Sequence, residues 1–258
     1  MKAERIAALA RPGIAIEVVA ETGSTNADLL ARAAQLSAQL SEPVLLVAEH
    51  QSAGRGRAGR SWLSSSEGSL TFSLAWKFDG GLQTLSGLPL AVGVALGDAL
   101  GQLGVQVALK WPNDVLKDGA KLAGILVETR SAADGGTLAV IGIGLNLVMP
   151  DEMEARIGRS AAGAPWLARM ERELLVASLL DALAAALHLF AARGFGTFCA
   201  RWNLRHAWQG ETVTVIDNGA VVHEGLAVGV DDAGRLLLDT PAGRVAVLAG
   251  DVSLRVKA

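Results

Sequence analysis

Near residue 208 the hydrophobic pattern of the chain changes period, and this change constrains the fold more than any single motif. Beyond it lie five short β-rich runs: Thr212–Ile216, Val221–Val228, Leu236–Leu238, Val245–Leu248 and Val252–Val256. Asp217-Asn218-Gly219, Asp231-Asp232-Ala233-Gly234 and Ala242-Gly243 lie between runs, and clusters of Asx and Gly are turn formers. Five such strands in about fifty residues suit a small SH3-like or related barrel.

Before residue 208 the pattern mixes helical and strand periods. Val176, Leu180, Leu183, Leu187 and Phe190 step by four and three, which builds one apolar stripe on a helix over about 170–192. Gly194 and Gly196 are expected to stop it, and His188 is expected on its surface beside the stripe. Leu88, Val92, Ala95, Ala99 and Leu103 line a second helix, with Pro89 tolerable in its first turn. A third is expected over about 24–40: Thr25 and Asp28 have the form of a capping box, and Leu29, Ala33, Leu36 and Leu40 recur at helical spacing. Val44–Ala48, Val105–Leu109, Ala123–Glu128 and Leu138–Ile143 read as strands. Leu70–Trp76 alternates apolar and polar residues, as a half-buried strand does. The chain is therefore expected to be α+β, with a catalytic-sized domain over 1–208 and a barrel over 209–258.

Composition narrows the class. Lys and Arg number 23 against 26 Asp and Glu, a net charge of −3, whereas a dedicated duplex-DNA binder is normally basic. Hydrophobic residues make up 51%, enough for a sizeable core. The lone Cys199 rules out an internal disulfide, and four scattered histidines lack zinc-ligand spacing. The charged start Met1-Lys-Ala-Glu-Arg-Ile6 does not resemble a secretory signal. Pro89, glycines and Asp98 make Leu88–Leu103 a better buried helix than a membrane span. A cytoplasmic protein is expected.

Glycine is abundant, 30 residues in 258, and its placement marks candidate ligand loops. Gly54, Gly56 and Gly59 satisfy G-x-G-x-x-G, the dinucleotide fingerprint, but no helix start follows them. Instead the glycines alternate with Arg55, Arg57 and Arg60. That combination offers a flexible loop carrying guanidinium forks for phosphate or carboxylate oxygens, or else a solvated basic loop. In the stretch from Leu109 to Glu128, Lys110 and Lys121 are expected to flank a hairpin, with Asn113 and Asp114 at its first bend and Asp118-Gly119 as its turn. Gly142-Ile143-Gly144-Leu145-Asn146 ends a strand, where two glycines let backbone approach a ligand closely. Ser24-Thr25-Asn26 opens the first helix, whose free N–H groups attract anions. Hairpin polarity, a strand-end turn and simple helix capping would explain these last three segments equally well.

Together these segments resemble the biotin protein ligases. The likeness rests on Glu21-Thr-Gly-Ser24-Thr25-Asn26, the run from Ala48 through Gln51 and Gly54-Arg55-Gly56-Arg57-Ala58-Gly59-Arg60 to Trp62, Lys110-Trp-Pro-Asn113-Asp114, Lys121-Leu-Ala-Gly124-Ile-Leu-Val-Glu128, and Gly142-Ile-Gly144-Leu-Asn146. It covers about residues 15–208, with weaker similarity over the terminal barrel. It implies a mixed-sheet catalytic domain of the biotin/lipoate ligase type and an ATP-dependent, Mg2+-assisted reaction in two steps. Biotin and ATP give biotinyl-5′-adenylate, and biotin then passes to a lysine of a biotin carboxyl carrier protein. The resemblance assigns biotin contacts to Ser24, Thr25, Asn26, Gln51, Arg55, Gly56, Arg57, Lys121, Gly124, Gly142 and Gly144. It assigns ATP contacts to Arg55, Arg57, Arg60, Trp62, Lys110, Asn113, Lys121 and Asn146. Lys121, Arg57 and Asp114 are the candidate catalytic residues, Asp114 for the proton of the acceptor amine. The metal ligands are left unassigned.

Two departures from the family pattern stand out. Ala58 falls where the family's loop often carries arginine, which is expected to loosen retention of the intermediate. Many bacterial members also carry an N-terminal winged helix-turn-helix, and Ser24-Thr25-Asn26 begins too early to leave room for one. No repressor role, no DNA and no membrane are expected, and exposed sheet edges would allow a homodimer. The competing readings are a lipoate-protein ligase of related fold and a non-catalytic nucleotide-binding regulator.

Overall fold

In the computed structural model the chain is described at all residues except 34, 35, 37–41, 158–160, 218, 251 and 258. Two β-sheets organise it, as the break near residue 208 foretells. The first has seven strands: β1 (Ala15–Thr22), β2 (Val44–Gln51), β3 (Ser69–Phe78), β4 (Ala108–Lys110), β5 (Asp114–Lys117), β6 (Ala120–Ser131) and β7 (Thr137–Asn146). Their spatial order is β1-β2-β3-β7-β6-β5-β4. The β1–β2 pair is parallel and the others antiparallel, so the sheet is mixed. The second sheet is antiparallel, with β8 (Thr212–Asp217), β9 (Ala220–Val230), β10 (Leu236–Thr240), β11 (Gly243–Val247) and β12 (Val252–Val256) in the order β11-β10-β9-β8-β12. The α+β class and all five terminal strands are as expected, although Asn218, in the first predicted turn, lies outside the described residues.

The helices are α1 (Ala3–Leu9), α2 (Thr25–Ala31), α3 (Leu88–Gln102), α4 (Asp151–Ile157), α5 (Arg172–Arg193) and α6 (Gly196–Asn203). The stripe Val176, Leu180, Leu183, Leu187 and Phe190 of α5 is buried in the main core with α3 and the inward residues of β3, β6 and β7. By length and composition alone the segment Leu82–Gln102, which includes α3, and the helix α5 could cross a membrane, but here their apolar faces are packed in that core. The core continues into the second sheet through Val213, Leu236 and Leu254. On the opposite face of the first sheet, Leu29 of α2 with Ala33 and Leu36 beyond it covers a smaller cluster of Val44, Leu46, Ala75, Leu138 and Val140. Leu40, expected on the same helix, lies outside the described residues.

Several expectations are corrected. Gly194 caps α5 in the left-handed region, but Gly196 opens α6 rather than ending α5. Ser24, not Thr25, is the N-cap of α2, its hydroxyl accepting from the amide of Ala27, while the carboxylate of Asp28 takes the Thr22 hydroxyl. Of the run Val105–Leu109 only Ala108 and Leu109 pair as a strand, which continues to Lys110. The single hairpin expected after Leu109 is two, because Asp114–Lys117 forms a strand of its own between β4 and β6. Finally, β3 is not half-buried. Its polar residues Thr71 and Ser73 are as enclosed as its apolar ones.

Candidate active site

The enclosure of Thr71 and Ser73 locates the site. Residues directly opposite one another on neighbouring strands point to the same face of a sheet. Register pairs Thr71 with Gly144, Gly144 with Gly124, Gly124 with Asp114 and Asp114 with Lys110. One row across five strands thus carries a hydroxyl, two glycines, a carboxylate and an ammonium. The adjoining row pairs Ser73 with Gly142 and Gly142 with Leu126. Over these rows opens a cleft of about 850 Å³, mouth included.

The glycines are required by their neighbours. A Cβ on Gly142 would stand 2.3 Å from Asn26 Oδ1, and one on Gly144 2.3 Å from the Trp62 ring. One on Gly124 would meet Lys121 Nζ at 3.0 Å and Trp62 at 3.2 Å. The strand therefore gives its side-chain space to Asn26, Trp62 and Lys121, which face the cleft alongside the bare backbone.

The floor is a continuous hydrogen-bonded chain. Gln51 Oε1 accepts from the backbone amide of Thr25 at 2.8 Å and lies 3.1 Å from its hydroxyl. Thr25 Oγ1 lies 2.6 Å from Ser73 Oγ, and Ser73 donates to Asn26 Oδ1 at 2.5 Å. All four residues are buried. Such burial is tolerable only because each polar group finds a partner.

Over the floor lies the Gly-Arg segment, which is a hairpin rather than an open loop. Ala58 and Gly59 have φ of 52° and 69°, the pair of positive values that a type I′ turn needs. Arg60 N donates to Arg57 O at 3.2 Å, Gly56 N to Arg60 O at 2.6 Å and Trp62 N to Gly54 O at 2.8 Å. Position 58, where the family often has arginine, is thus the turn's first central residue. Arg57 Nη1 donates to Asn113 Oδ1 at 3.1 Å and Nη2 to the Gly250 carbonyl, in the connection between β11 and β12. Arg55 Nη2 lies 3.2 Å from Glu128 Oε1.

The ionic centre is Asp114. Lys121 Nζ lies 2.5 Å from its Oδ1 and Lys110 Nζ 3.5 Å from its Oδ2. Burial pushes the Lys110 ammonium below the ordinary lysine range, with Arg255 and Lys121 adding repulsion and Asp114 opposing both. Lys121 Nζ stands 5.6 Å over the Trp62 ring and Lys110 4.8 Å over Trp208. The indole Nε1 of Trp62 is buried without a hydrogen-bond partner.

Ser24, Thr25, Asn26, Gln51, Arg55, Gly56, Arg57, Arg60, Trp62, Lys110, Asn113, Asp114, Lys121, Gly124, Gly142 and Gly144 all line this one cleft. Asn146 does not. Its amide donates to the Lys121 carbonyl at 3.2 Å, so it braces the strand that bears Lys121. Sequence reading missed Ser73, whose alternation in β3 suggested solvent, and Ser253, Leu254 and Arg255, which β12 brings to the rim from the far end of the chain. No cluster of three or more His, Cys, Asp or Glu able to hold a metal occurs among the described residues. Among the described residues Asp114 is the one carboxylate lining the cleft, and it is engaged by two ammonium groups. A divalent ion held by the protein does not fit these side chains; one carried on substrate phosphates does.

With that geometry in view, likeness to known proteins sets the class. Residues 19–146 match the Biotin/lipoate A/B protein ligase family, and residues 210–255 the Biotin protein ligase C terminal domain. The chain is 37% identical over 243 residues to the biotin--[acetyl-CoA-carboxylase] ligase of Mycobacterium tuberculosis, covering 92% of this chain and 88% of that protein. It is 32% identical over 250 residues to the bifunctional ligase/repressor BirA of Escherichia coli, covering 94% of this chain and 75% of that one. A solved biotin protein ligase from Aquifex aeolicus, in complex with biotin and ATP, aligns with a TM-score of 0.75 at 28% identity over 94% of this chain and 99% of its own. The chain belongs to the biotin protein ligases.

Proposed function

We propose that this cleft joins biotin to the α-phosphate of ATP and then delivers the biotinyl group to a lysine of a biotin carboxyl carrier protein. The observation that carries the reading is the Lys110–Asp114–Lys121 cluster lying between a polar floor and an arginine hairpin. In the first step a biotin carboxylate oxygen attacks the α-phosphorus and pyrophosphate departs. Two anions must meet, so fixed cations in a water-poor site lower the barrier. Lys121, paired with Asp114 beside the glycine row, would reach both the carboxylate and the α-phosphate. Arg55 and Arg57 would cover the adenylate, and Arg60, Lys110 and Asn113 would reach the phosphates. Mg2+ enters as the partner of the triphosphate. In the second step a neutral carrier amine attacks the acyl carbon, AMP leaves, and the amine's proton passes to Asp114. Asp114, between Lys110 and Lys121, faces the part of the cleft where that amine would arrive.

The floor favours biotin over lipoate. Thr25, Asn26, Gln51 and Ser73 offer hydrogen bonds that a ureido head can use and an apolar dithiolane ring cannot. The acidic balance of the chain supports ligation without repression. Incubation with a biotin carrier domain, Mg-ATP and either biotin or lipoate tests the reading. Biotin-dependent labelling of one carrier lysine is expected; labelling with lipoate alone, or no labelling, overturns it.

A further inference from the structure

One carboxylate at the edge of the cleft touches both the floor and the hairpin. Glu128, on β6, accepts from Asn26 Nδ2 through Oε2 at 2.9 Å and meets Arg55 Nη2 through Oε1 at 3.2 Å. Its side chain is 23% exposed, so the pair with Arg55 is partly shielded from solvent.

Counting protons along the floor shows what the first contact does. Four oxygens stand in line: Gln51 Oε1, Thr25 Oγ1, Ser73 Oγ and Asn26 Oδ1, with three contacts of 3.1, 2.6 and 2.5 Å between them. Only the two hydroxyls supply protons to these contacts. Asn26 Nδ2 faces two acceptors, Glu128 Oε2 and the Leu126 carbonyl at 3.3 Å, which turns Oδ1 toward Ser73. Ser73 must then donate to Asn26. The 2.6 Å contact needs a proton as well, so Thr25 donates to Ser73. Gln51 Oε1 keeps the Thr25 amide as its donor, and the lone pairs of Thr25 Oγ1 are left as acceptors.

We propose that Glu128 is a positioning residue whose two oxygens have separate tasks. Oε2 sets the donor direction of the floor, so that the Thr25 hydroxyl receives an N–H of the bound acid's head group. Oε1 ties the arginine hairpin down over that floor. The first task rests on the biotin reading; the second does not.

Glu128→Gln and Glu128→Ala separate the tasks in the intact protein. Glutamine keeps an oxygen for Asn26 but loses the charge that holds Arg55; alanine loses both. The readouts are biotin affinity by calorimetry and the rate of tryptic cleavage after Arg55, Arg57 and Arg60 in ligand-free protein, followed by mass spectrometry. For Glu128→Gln, cleavage should rise about fivefold while biotin affinity stays within about twofold. For Glu128→Ala, the same rise should accompany a loss of about tenfold or more in affinity, about 1.4 kcal/mol. Thermal melting of both variants verifies that they fold, which separates loop release from general unfolding. Any other pattern in folded variants overturns the proposal. A wild-type chain that binds no biotin overturns the ligase reading by itself, and the cleavage rates still decide the tie to Arg55.

Discussion

The face of the first sheet that carries α2 has two halves built from the same strands. Under α2 the inward residues are Val44, Leu46, Ala75, Leu138 and Val140, packed against Leu29, Ala33 and Leu36. A few residues along β3, β6 and β7 they become Thr71, Ser73, Gly124, Gly142 and Gly144 beneath the arginine hairpin. One half follows the rule that a sheet face buries apolar side chains. The other spends buried positions on hydroxyls, bare backbone and a charged cluster. In a protein whose stability is a small difference between large terms, such an exchange needs a compensating function. Stability should therefore be sensitive in the first half and activity in the second.

The largest effect should come from the charged end of the polar half. Lys121→Ala removes the ammonium placed for the reacting oxygens, and loss of one such electrostatic contact typically costs about 10²–10³-fold in rate. Biotin-dependent ATP–pyrophosphate exchange should fall by at least that factor with little change in melting temperature. Near-normal exchange would remove Lys121 from the chemistry. Next, Gly144→Val and Val140→Ala should give opposite results although both lie on β7. A Cβ at 144 would stand 2.3 Å from the Trp62 ring, and displacing that ring should lower kcat/KM by about 10²-fold. Val140 is fully buried under α2, so its truncation should cost about 2 kcal/mol of stability and leave kcat/KM within about twofold. Equal effects of the two substitutions on melting and on rate would erase the distinction between the halves.

How far this division could be read from the sequence depends on the kind of signal. Apolar patterning is local: Val44 and Leu138 stand in short apolar runs that read as strands, and across the sheet the stripe of α5 reads from its spacing. The ligand loops carry local marks, namely Gly alternating with Arg and Gly-x-Gly at a strand end, and nearly all the residues chosen from them meet in one cleft. Ser73 was misread because an alternating strand looks the same whether its polar face meets water or a buried site. Glu128 was quoted within a motif, but its role depends on register across β6 and β7 and on a turn about seventy residues away. Arg255 comes from the other sheet, and no local pattern could join it to Lys110. Asn146 lies off that cleft: its motif position suggests a ligand contact, and its amide braces the backbone of Lys121.

The smallest prediction asks what the polar half costs the fold. The Lys110 side chain is 13% exposed, and burial lowers its proton affinity below that of a free lysine. A lysine with a depressed folded-state pKa penalises folding while it is charged. Its burden is therefore full at neutral pH and is relieved as pH rises through the folded value toward the ordinary lysine value of 10.5. Lys110→Met keeps the aliphatic stem and leaves Asp114 its 2.5 Å partner Lys121. This variant should gain about 1 kcal/mol at pH 7, about 2–4 °C in Tm, and should lose the part of the alkaline rise in stability that Lys110 supplies. Its adenylation rate should fall if Lys110 meets the phosphates of ATP as proposed, because the site then lacks that cation. If instead the methionine protein is less stable at pH 7 than the wild type, the Lys110–Asp114 pair holds the fold together, and the polar half supports stability as the apolar half does.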